Sequence, residues 1–353
     1  MAPAQDSKEL LPFAAATQIR QLESHVYAGD FSSEFCIGSV PNGGYVATHF
    51  LKVARLHLSP RRQHNALTAH WEFLSRSSAG PAVFVVEDVK LGRQTSVLHI
   101  KLFQGGSSSS SALATPAAAR GRGQPVAAAY VTQSNFASEE GLSLPTGHEL
   151  HPPVPKVDLE KLGREEEEEE EGGQGGGVEG DENWTRVVLP DSAFKMIRNF
   201  KNCMYYAPRR GHPRRSIVDL WLRLPGGERF TQDSLGYVVD AWPTIVESYR
   251  PPAPAPGGGG TGGGGEDTPA PFPYDEVFWY PTVVMNLEVK KALPEEGEEW
   301  LFMRVLTRQI KNGRLDLEVL VYDRMDELVA VSSHVNLVLG VARNVAGRGK
   351  SSL

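Results

Sequence analysis

The stretch PNGGYVATHFLKVA occupies residues 41–54 and predicts the start of a helix. Gly43 and Gly44 precede apolar residues that recur at helical spacing, beginning with Tyr45. A helix followed by a mostly antiparallel sheet is typical of an α+β unit. The strands predicted to follow are residues 70–74, 82–91, 95–104 and 126–136.

The second half of the sequence repeats this order of elements. From Leu235 to Val246 apolar residues recur at helical spacing, so one face of this helix should be buried. Asn312-Gly313 is the pair that best tolerates the backbone angles of a tight hairpin turn. The repetition predicts an internal duplication and an α+β fold of two antiparallel sheets, each wrapped around a central helix. The strands predicted for this half are residues 282–290, 301–310, 315–322 and 328–339.

Low-complexity stretches separate and interrupt the two halves, because they are too polar to form a packed core. We interpret the longest, around the glutamate run 165–171, as a solvated spacer. The stretches are the serine run 107–111, the glutamate run and the glycine tract 257–265. The predicted organisation is a first repeat at residues 1–136, an acidic linker at 137–185, a second repeat at 186–345 with a Pro/Gly-rich insertion at 251–271, and a flexible tail at 346–353.

The charge of the sequence is unevenly distributed. The net charge is −7, but residues 137–183 alone carry 15 acidic and 3 basic side chains, so the rest of the chain is net basic. Because those basic residues lack interleaved aromatic side chains, no nucleic-acid partner is predicted.

Cysteine usage and hydropathy indicate the compartment. Cys36 and Cys203 are too few for a disulfide framework, which favours a reducing interior. No apolar run approaches the roughly 20 residues that span a bilayer, and the N-terminus has no apolar signal-peptide core. A soluble, cytoplasmic protein without a membrane span is therefore predicted. Ser351-Ser352-Leu353 resembles a weak peroxisomal address, so import into peroxisomes is the alternative.

Several catalytic classes are disfavoured because their motifs are missing. No Gly-x-Ser-x-Gly sequence is present, and no Cys-x-x-Cys pair. His148-Glu149-Leu150-His151 is one residue too short for a helical zinc site of the His-Glu-x-x-His type. We therefore predict neither a serine hydrolase nor a zinc enzyme, and no metal or cofactor.

Four motifs in the first half, taken in order, carry a resemblance to a known family. The motifs are PNGGY (41–45), HWEFL (70–74), LGRQTS (91–96) and AAYVTQ (128–133). With these motifs the first half resembles the N-terminal repeat of the double-hotdog acyl-CoA thioesterases, the group of bacterial thioesterase II and the fungal thioesterase-like proteins. The resemblance implies a tandem hotdog fold.

The second half resembles the C-terminal repeat of the same family at the family's catalytic positions. The matching pieces are VDAWP (239–243), PT (281–282) and LVA (328–330). In that family an Asp, a Thr and a Gln hold and activate a water molecule. The resemblance implies that Asp240 and Thr282 take the first two roles, and that His334 stands where the family has Gln.

Taken without the resemblance, each of these three residues has a second interpretation. Asp240 beside a buried helical face suits a general base, or it caps a helix that begins at Pro243. Thr282 orients a water molecule, or it serves only as a β-branched residue at the start of a strand. His334 shares a proton with Asp240, or it is a hydrogen-bonded core histidine.

Substrate binding is predicted at the helix start and at basic positions. The N–H groups at Asn42, Gly43, Gly44 and Tyr45 are suited to an oxyanion or a phosphate, and His70, in the second motif, is grouped with them. Arg93, at a predicted hairpin tip, is a candidate for the phosphates of coenzyme A. A second basic cluster has the same two interpretations, phosphate binding or a solvated loop: Arg209, Arg210, Arg214 and Arg215.

The sequence thus predicts an acyl-CoA thioesterase that hydrolyses an acyl thioester to the free acid and coenzyme A. The alternative is a hotdog protein that binds acyl thioesters or acts as a scaffold without hydrolysing them, in either case with a place in lipid or secondary metabolism. Edge strands on both predicted sheets make a homo-oligomer possible. Acyl chain length does not follow from any local motif.

Overall fold

The computed structural model describes residues 10–105, 123–163, 180–189, 196–252 and 271–341. The three low-complexity runs and the predicted tail, including Ser351-Ser352-Leu353, lie outside these residues. The α-helices within them are α1 (Phe13–Ala16), α2 (Gly43–His57) and α3 (Leu235–Val239). Short 3-10 turns lie at Ser33–Phe35, Ser59–Arg61, Phe136–Ser138, Arg198–Asn202, Pro225–Gly227, Gln232–Ser234 and Ile245–Tyr249.

The strands fall into two series, one on either side of residue 137. The first is β1 (Arg20–Glu23), β2 (Val26–Phe31), β3 (Cys36–Ile37), β4 (Val40–Pro41), β5 (Asn65–Phe73), β6 (Gly80–Leu91), β7 (Ser96–Phe103) and β8 (Ala127–Ser134). The second is β9 (Trp184–Arg186), β10 (Met204–Pro208), β11 (Ile217–Arg223), β12 (Phe278–Trp279), β13 (Thr282–Val289), β14 (Leu301–Leu306), β15 (Ile310–Lys311), β16 (Arg314–Asp323), β17 (Leu328–Leu337) and β18 (Leu339–Gly340).

One continuous antiparallel sheet joins the two halves, in place of the two sheets predicted. Its strand order is β1-β2-β6-β7-β8-β5-β13-β17-β16-β14-β11-β10-β9, with β15 paired to β16. The join is the pairing of β5 with β13, in which His70 lies opposite Asn286. Each half would otherwise leave an edge strand with unpaired N–H and C=O groups, and pairing these two strands satisfies both.

Counted outward from this join, the two halves have the same strand order. The series β5-β8-β7-β6-β2-β1 matches β13-β17-β16-β14-β11-β10. The strands at the join even carry an irregularity at the same place, between Ala66 and Thr68 in β5 and between Thr282 and Val284 in β13. The topology therefore has the form expected of a duplication.

The helix predicted from 235 to 246 ends early, at Val239. Pro243 has no N–H to continue the helix, and its ring clashes with the preceding turn. The chain resumes as the 3-10 turn Ile245–Tyr249. The predicted hairpin turn is confirmed, because Asn312 and Gly313 have φ angles of 53° and 71°.

A single apolar core lies between the sheet and the helices, and both halves contribute to it. The opposite face of the second half is covered by residues 150–162, which belong to the segment predicted as a linker. Here Leu162 is fully buried in a cluster with Trp184 and Trp221. None of the helices in the described part of the chain has the length and hydrophobicity needed to span a bilayer.

Candidate active site

Asp240 lies where the two helices meet, and donors from both halves converge on its carboxylate. It follows the last residue of α3 and is only 3% exposed. Its Oδ2 accepts a hydrogen bond from the Gly44 N–H at 2.7 Å and from Asn42 Nδ2 at 3.3 Å. Its Oδ1 accepts from the Thr282 hydroxyl at 2.8 Å. A buried charge needs such partners, and this one has three.

Two glycines allow this close approach. A Cβ on Gly44 would lie 2.6 Å from the carbonyl oxygen of Gly236 and 2.8 Å from the Cβ of Asp240. A Cβ on Gly43 would lie 2.8 Å from Asp240 Oδ2. The helix start is therefore glycine-rich because the other helix packs directly onto it.

The carboxylate of Asp240 caps α2, and not a helix beginning at Pro243 as one interpretation of the sequence had it. The turn after Pro243 begins at Ile245, and Thr244 precedes it. Asp240 instead accepts the N–H of Gly44 at the N-terminus of α2, where the helix dipole favours a negative charge. The Tyr45 N–H is also taken, by Asn42 Oδ1 at 2.9 Å. The Asn42 N–H donates to the Phe35 carbonyl at 2.9 Å, so three of the four N–H groups predicted for substrate are bonded within the protein.

Asn336 extends the network behind Thr282. The Thr282 hydroxyl has one proton, which it donates to Asp240, so it accepts from Asn336 Nδ2 at 2.9 Å. Asn336 is fully buried, and its Oδ1 has no partner among the described residues. Asn336 was not among the predicted site residues, although the alternation of the last long strand places it on the same face as His334.

His334 is fully enclosed on the other side of Asp240. Its Nδ1 lies 3.6 Å from Asp240 Oδ1, and its Nε2 lies 2.8 Å from the Ser332 hydroxyl. Ser332 donates its own proton to the Asn286 carbonyl, so the network assigns a proton to His334 Nε2. Nδ1 then faces the carboxylate, either as a lone pair or with a second proton.

A cavity of about 320 Å³ opens beside this network. Asp240, Thr282, Asn42 and Gly43 form one polar part of its wall, and Ser75, Arg76 and Ser77 also line it. His334 does not line the cavity as the described residues form it, and Asp240 lies between the two. Most of the remaining wall is apolar: Ile37, Val40, Pro41, Val46, Phe73, Pro243, Trp279, Tyr280, Pro281, Val283, Leu337 and Leu339.

Arg76 is a cationic residue of this cavity that was not among the predicted site residues. It lines the cavity, and its guanidinium lies over the Trp279 ring, 4.9 Å from the ring centre. Its position after β5 carries no motif. Only the fold brings it to the same cavity as Asp240.

Three predicted substrate-binding residues lie elsewhere. The Tyr45 hydroxyl is buried, donating to the Ala16 carbonyl at 2.6 Å and accepting from the Ser32 N–H at 3.0 Å. His70 lies on the face of β5 that points away from the helices, where it contacts Asn286 Oδ1 at 2.6 Å. Arg93 lies in the turn after β6, and its carbonyl accepts from Gln63. Within the described residues, none of the three lines the cavity.

Comparison with known families divides the chain as the sheet does. Residues 31–133 match the family described as acyl-CoA thioesterase N-terminal domain, and residues 165–338 match its C-terminal domain. The chain belongs to the acyl-CoA thioesterase family. The two matched ranges meet at the β5–β13 join, since each supplies one of its strands.

Individual relatives agree with this assignment. The thioesterase-like protein TwmA from Talaromyces wortmannii is 40% identical over 96% of this chain and 95% of its own length. A solved hotdog-fold protein of unknown function from Alicyclobacillus acidocaldarius is 16% identical with a TM-score of 0.63, covering 92% of this chain and 97% of that one. An acyl-CoA thioesterase II from Mycobacterium marinum is also 16% identical, with a TM-score of 0.53 and coverage of 92% and 96%. Both structures are similar to this chain in fold, and the Alicyclobacillus protein is described as having a hotdog fold.

Proposed function

We propose that this protein hydrolyses an acyl-CoA thioester to the free acid and coenzyme A with a water molecule activated by Asp240. The observation that carries the proposal is a buried carboxylate that opens onto an apolar cavity beside a hydroxyl group. Such a cavity holds an acyl chain and excludes bulk water, and the carboxylate supplies the base.

In the proposed reaction the oxygen of the water attacks the thioester carbonyl carbon while Asp240 takes its proton. The tetrahedral intermediate then collapses, the C–S bond breaks, and the thiolate of coenzyme A leaves and takes up the proton. Thr282 and Asn336 hold the carboxylate in a fixed orientation through their chain of hydrogen bonds. Positioning of this kind keeps the base aligned with the attacking water.

His334 is proposed as a positioning residue that acts through Asp240. It lies behind the carboxylate, away from the cavity, with its Nε2 fixed by Ser332. A neutral ring accepts the proton that Asp240 receives, whereas a charged ring pairs with the carboxylate. Glutamine, which the family has at this position, does neither, because it does not change protonation near neutral pH.

The same cavity supports a division of the substrate into two parts. The apolar wall accommodates the acyl group, and Arg76 contacts a phosphate of coenzyme A, since guanidinium binds phosphate in bidentate geometry. The two halves act as tandem hotdog units, with the cavity between the start of α2 and the end of α3. His70 and Arg93 have no part in this proposal.

The test is release of coenzyme A from a panel of acyl-CoAs, short to long and including aromatic acyl groups. The free thiol is measured with a thiol reagent. The background is low, because burial raises the pKa of both Cys36 and Cys203. Asp240→Asn keeps the shape of the side chain but removes the base, so we expect turnover to fall by about 10²- to 10⁴-fold. Thr48→Ala, at the helix crossing but outside the cavity, is the matched control and should retain wild-type turnover.

His334→Gln distinguishes a positioning role from a packing role. We expect kcat to fall about tenfold with KM unchanged, because glutamine fills the site but cannot take up the proton that Asp240 receives. A variant with the wild-type kcat would contradict the role of His334, and full activity in Asp240→Asn would contradict the mechanism as a whole.

A protein that binds acyl thioesters without hydrolysing them is the second candidate, and one observation favours it. The carboxylate of Asp240 is already bonded to three donors of the protein, as expected of a structural cap. This candidate predicts saturable binding of a non-hydrolysable acyl-CoA thioether together with no turnover of any acyl-CoA in the panel. Turnover that disappears in Asp240→Asn would exclude it.

A further inference from the structure

We propose that His25, His57 and Asp88 form a binding site for a divalent transition metal ion, for which zinc is the best fit. The three residues lie outside the cavity described above. His57 is the last residue of α2, His25 lies in the turn between β1 and β2, and Asp88 belongs to β6. The fold thus brings three distant parts of the first half together at one point.

The ligand atoms face one another at close range. His57 Nε2 lies 2.8 Å from Asp88 Oδ1, and His25 Nε2 lies 3.2 Å from Asp88 Oδ2. One ligand atom from each residue lies within 4.8 Å of the others. In a tetrahedral zinc site, neighbouring ligand atoms are about 3.3 Å apart. The widest separation must therefore close by about 1.5 Å, which His25 permits because it lies in a turn and its side chain is 41% exposed.

The opposite nitrogen of each histidine ring is held by a hydroxyl group. His57 Nδ1 lies 2.9 Å from the Tyr27 hydroxyl, and His25 Nδ1 lies 2.9 Å from the Ser24 hydroxyl. Metal-bound histidines are ordinarily oriented in this way, by a hydrogen bond to the ring nitrogen that does not bind the metal. Tyr27 is only 1% exposed, so the His57 ring is firmly placed. Both Nε2 atoms are thereby directed at the same carboxylate.

Two imidazoles and one carboxylate are a ligand set suited to zinc and similar transition metals. Calcium and magnesium prefer oxygen ligands and are poorly matched to it. His25 and Asp88 also line a cleft of about 800 Å³, which gives an ion and a fourth ligand, a water molecule, access from the surface. A site with three protein ligands and one water resembles the open type of zinc site.

The test is titration of the full-length chain, freed of metal and of any polyhistidine tag, with Zn²⁺ by calorimetry and with Co²⁺ by visible absorption. We expect one ion per chain and cobalt bands of the intensity of a four- or five-coordinate site. His25→Gln and Asp88→Asn remove ligands and should weaken binding by about 100-fold or more, whereas Tyr27→Phe should weaken it by about 10- to 100-fold.

His70→Gln is the matched control, because His70 is a half-exposed histidine 3.3 Å from the carboxylate of Glu72, and the residues that the structure describes place no second histidine beside that pair. It should bind metal as the wild type does, and so should Asp240→Asn, which separates this site from the thioester site. Absence of one-to-one binding of either ion would overturn the proposal, as would equal affinity of His25→Gln and wild type. His25 lies in an exposed turn, so its variant carries the test if Asp88→Asn fails to fold.

Discussion

The two halves of the molecule share a scaffold but differ at the positions that form the proposed active site. Gly44-Tyr45 lies at the start of α2 and Gly236-Tyr237 at the start of α3, and a Cβ on either glycine would collide with the other helix. Four residues after the glycine, the first half has Thr48 and the second has Asp240. Thr48 donates its hydroxyl to Gly44 of its own helix at 3.1 Å, whereas Asp240 reaches across to the other half.

The strands at the join differ in the same way. The matching irregularities align Ala66 of β5 with Thr282 of β13. By the same alignment Val131 of β8 corresponds to His334 of β17. Val131 lies opposite Ala69, three residues after Ala66, and His334 lies opposite Met285, three residues after Thr282. The acid, the hydroxyl and the imidazole are therefore present only in the second half. Each half supplies the same scaffold, and a few side chains determine which half contains the proposed catalytic groups.

His49 gives the largest difference in stability that we expect between the halves. It is fully buried, donates to the Tyr45 carbonyl at 2.8 Å, and corresponds to Ala241 in the second half. Burial lowers the pKa of His49 to about 4. Between pH 6.5 and 4 the unfolded chain binds a proton at this histidine, whereas the folded chain does not. The free energy of unfolding therefore falls by about 3 kcal/mol as the pH is lowered from 6.5 to 4.

The measurement is the free energy of unfolding in urea at several pH values for wild type and His49→Leu. We expect the difference between the two proteins to change by about 3 kcal/mol across this range. His70→Gln, at an exposed histidine, should follow the wild type. Parallel curves for wild type and His49→Leu would show that His49 has the same pKa in the folded and the unfolded protein.

Substitution of the crossing glycines should have the next largest effect. A Cβ on Gly44 meets backbone of the other helix at 2.6 Å, and a Cβ on Gly236 meets the N atom of Thr48 at 2.9 Å. Backbone cannot retreat as a side chain can, so we expect Gly44→Ala and Gly236→Ala each to lower the free energy of unfolding by about 1–3 kcal/mol. Gly340→Ala, where a Cβ meets nothing within 4 Å, is the control. If Gly44→Ala and Gly236→Ala lower the free energy of unfolding no more than Gly340→Ala does, the helices are packed less closely than the structure indicates.

Thr282→Ala copies the first half into the second, because Ala66 is the aligned residue. It removes one hydrogen bond to Asp240 and leaves the Asn336 amide without its acceptor. We expect kcat/KM for acyl-CoA hydrolysis to fall about tenfold, the loss of one hydrogen bond to a charged group. Thr282→Ser keeps the hydroxyl and should restore most of the rate. Equal rates in the alanine and serine variants would assign Thr282 to strand packing alone.

The parts of this structure that local patterns determine were predictable from the sequence. The start of α2, the alternating strands of both halves and the turn at Asn312-Gly313 are set by spacing and backbone preference. The apolar spacing alone extends α3 to Val246, whereas Pro243, which disturbs a helix, indicates its early end. The merging of two sheets into one could not be predicted, since it depends on which edge strands meet.

The candidate site was predictable where a motif marked it and not elsewhere. Asp240 and Thr282 meet as the resemblance implied, with His334 beside them. Asn336 shares a face of β17 with His334, but only the pairing of β17 with β13 brings it to Thr282. Arg76 reaches the cavity through the loop after β5, which no local pattern encodes. The His25–His57–Asp88 cluster was missed for the same reason, because its members are 31 and 32 residues apart and follow no ligand spacing.

The pairing of β5 with β13 has a consequence for the fate of the chain in a crowded solution. Two separate sheets would present four edges of unpaired backbone groups, each a template on which another chain could add a strand. The joined sheet, in its described part, ends instead in β1 and β9, which are four and three residues long. Strands this short offer few backbone hydrogen bonds to a strand of another chain. Because the join pairs β5 with β13, which would otherwise be edge strands, it protects the protein against aggregation through sheet edges.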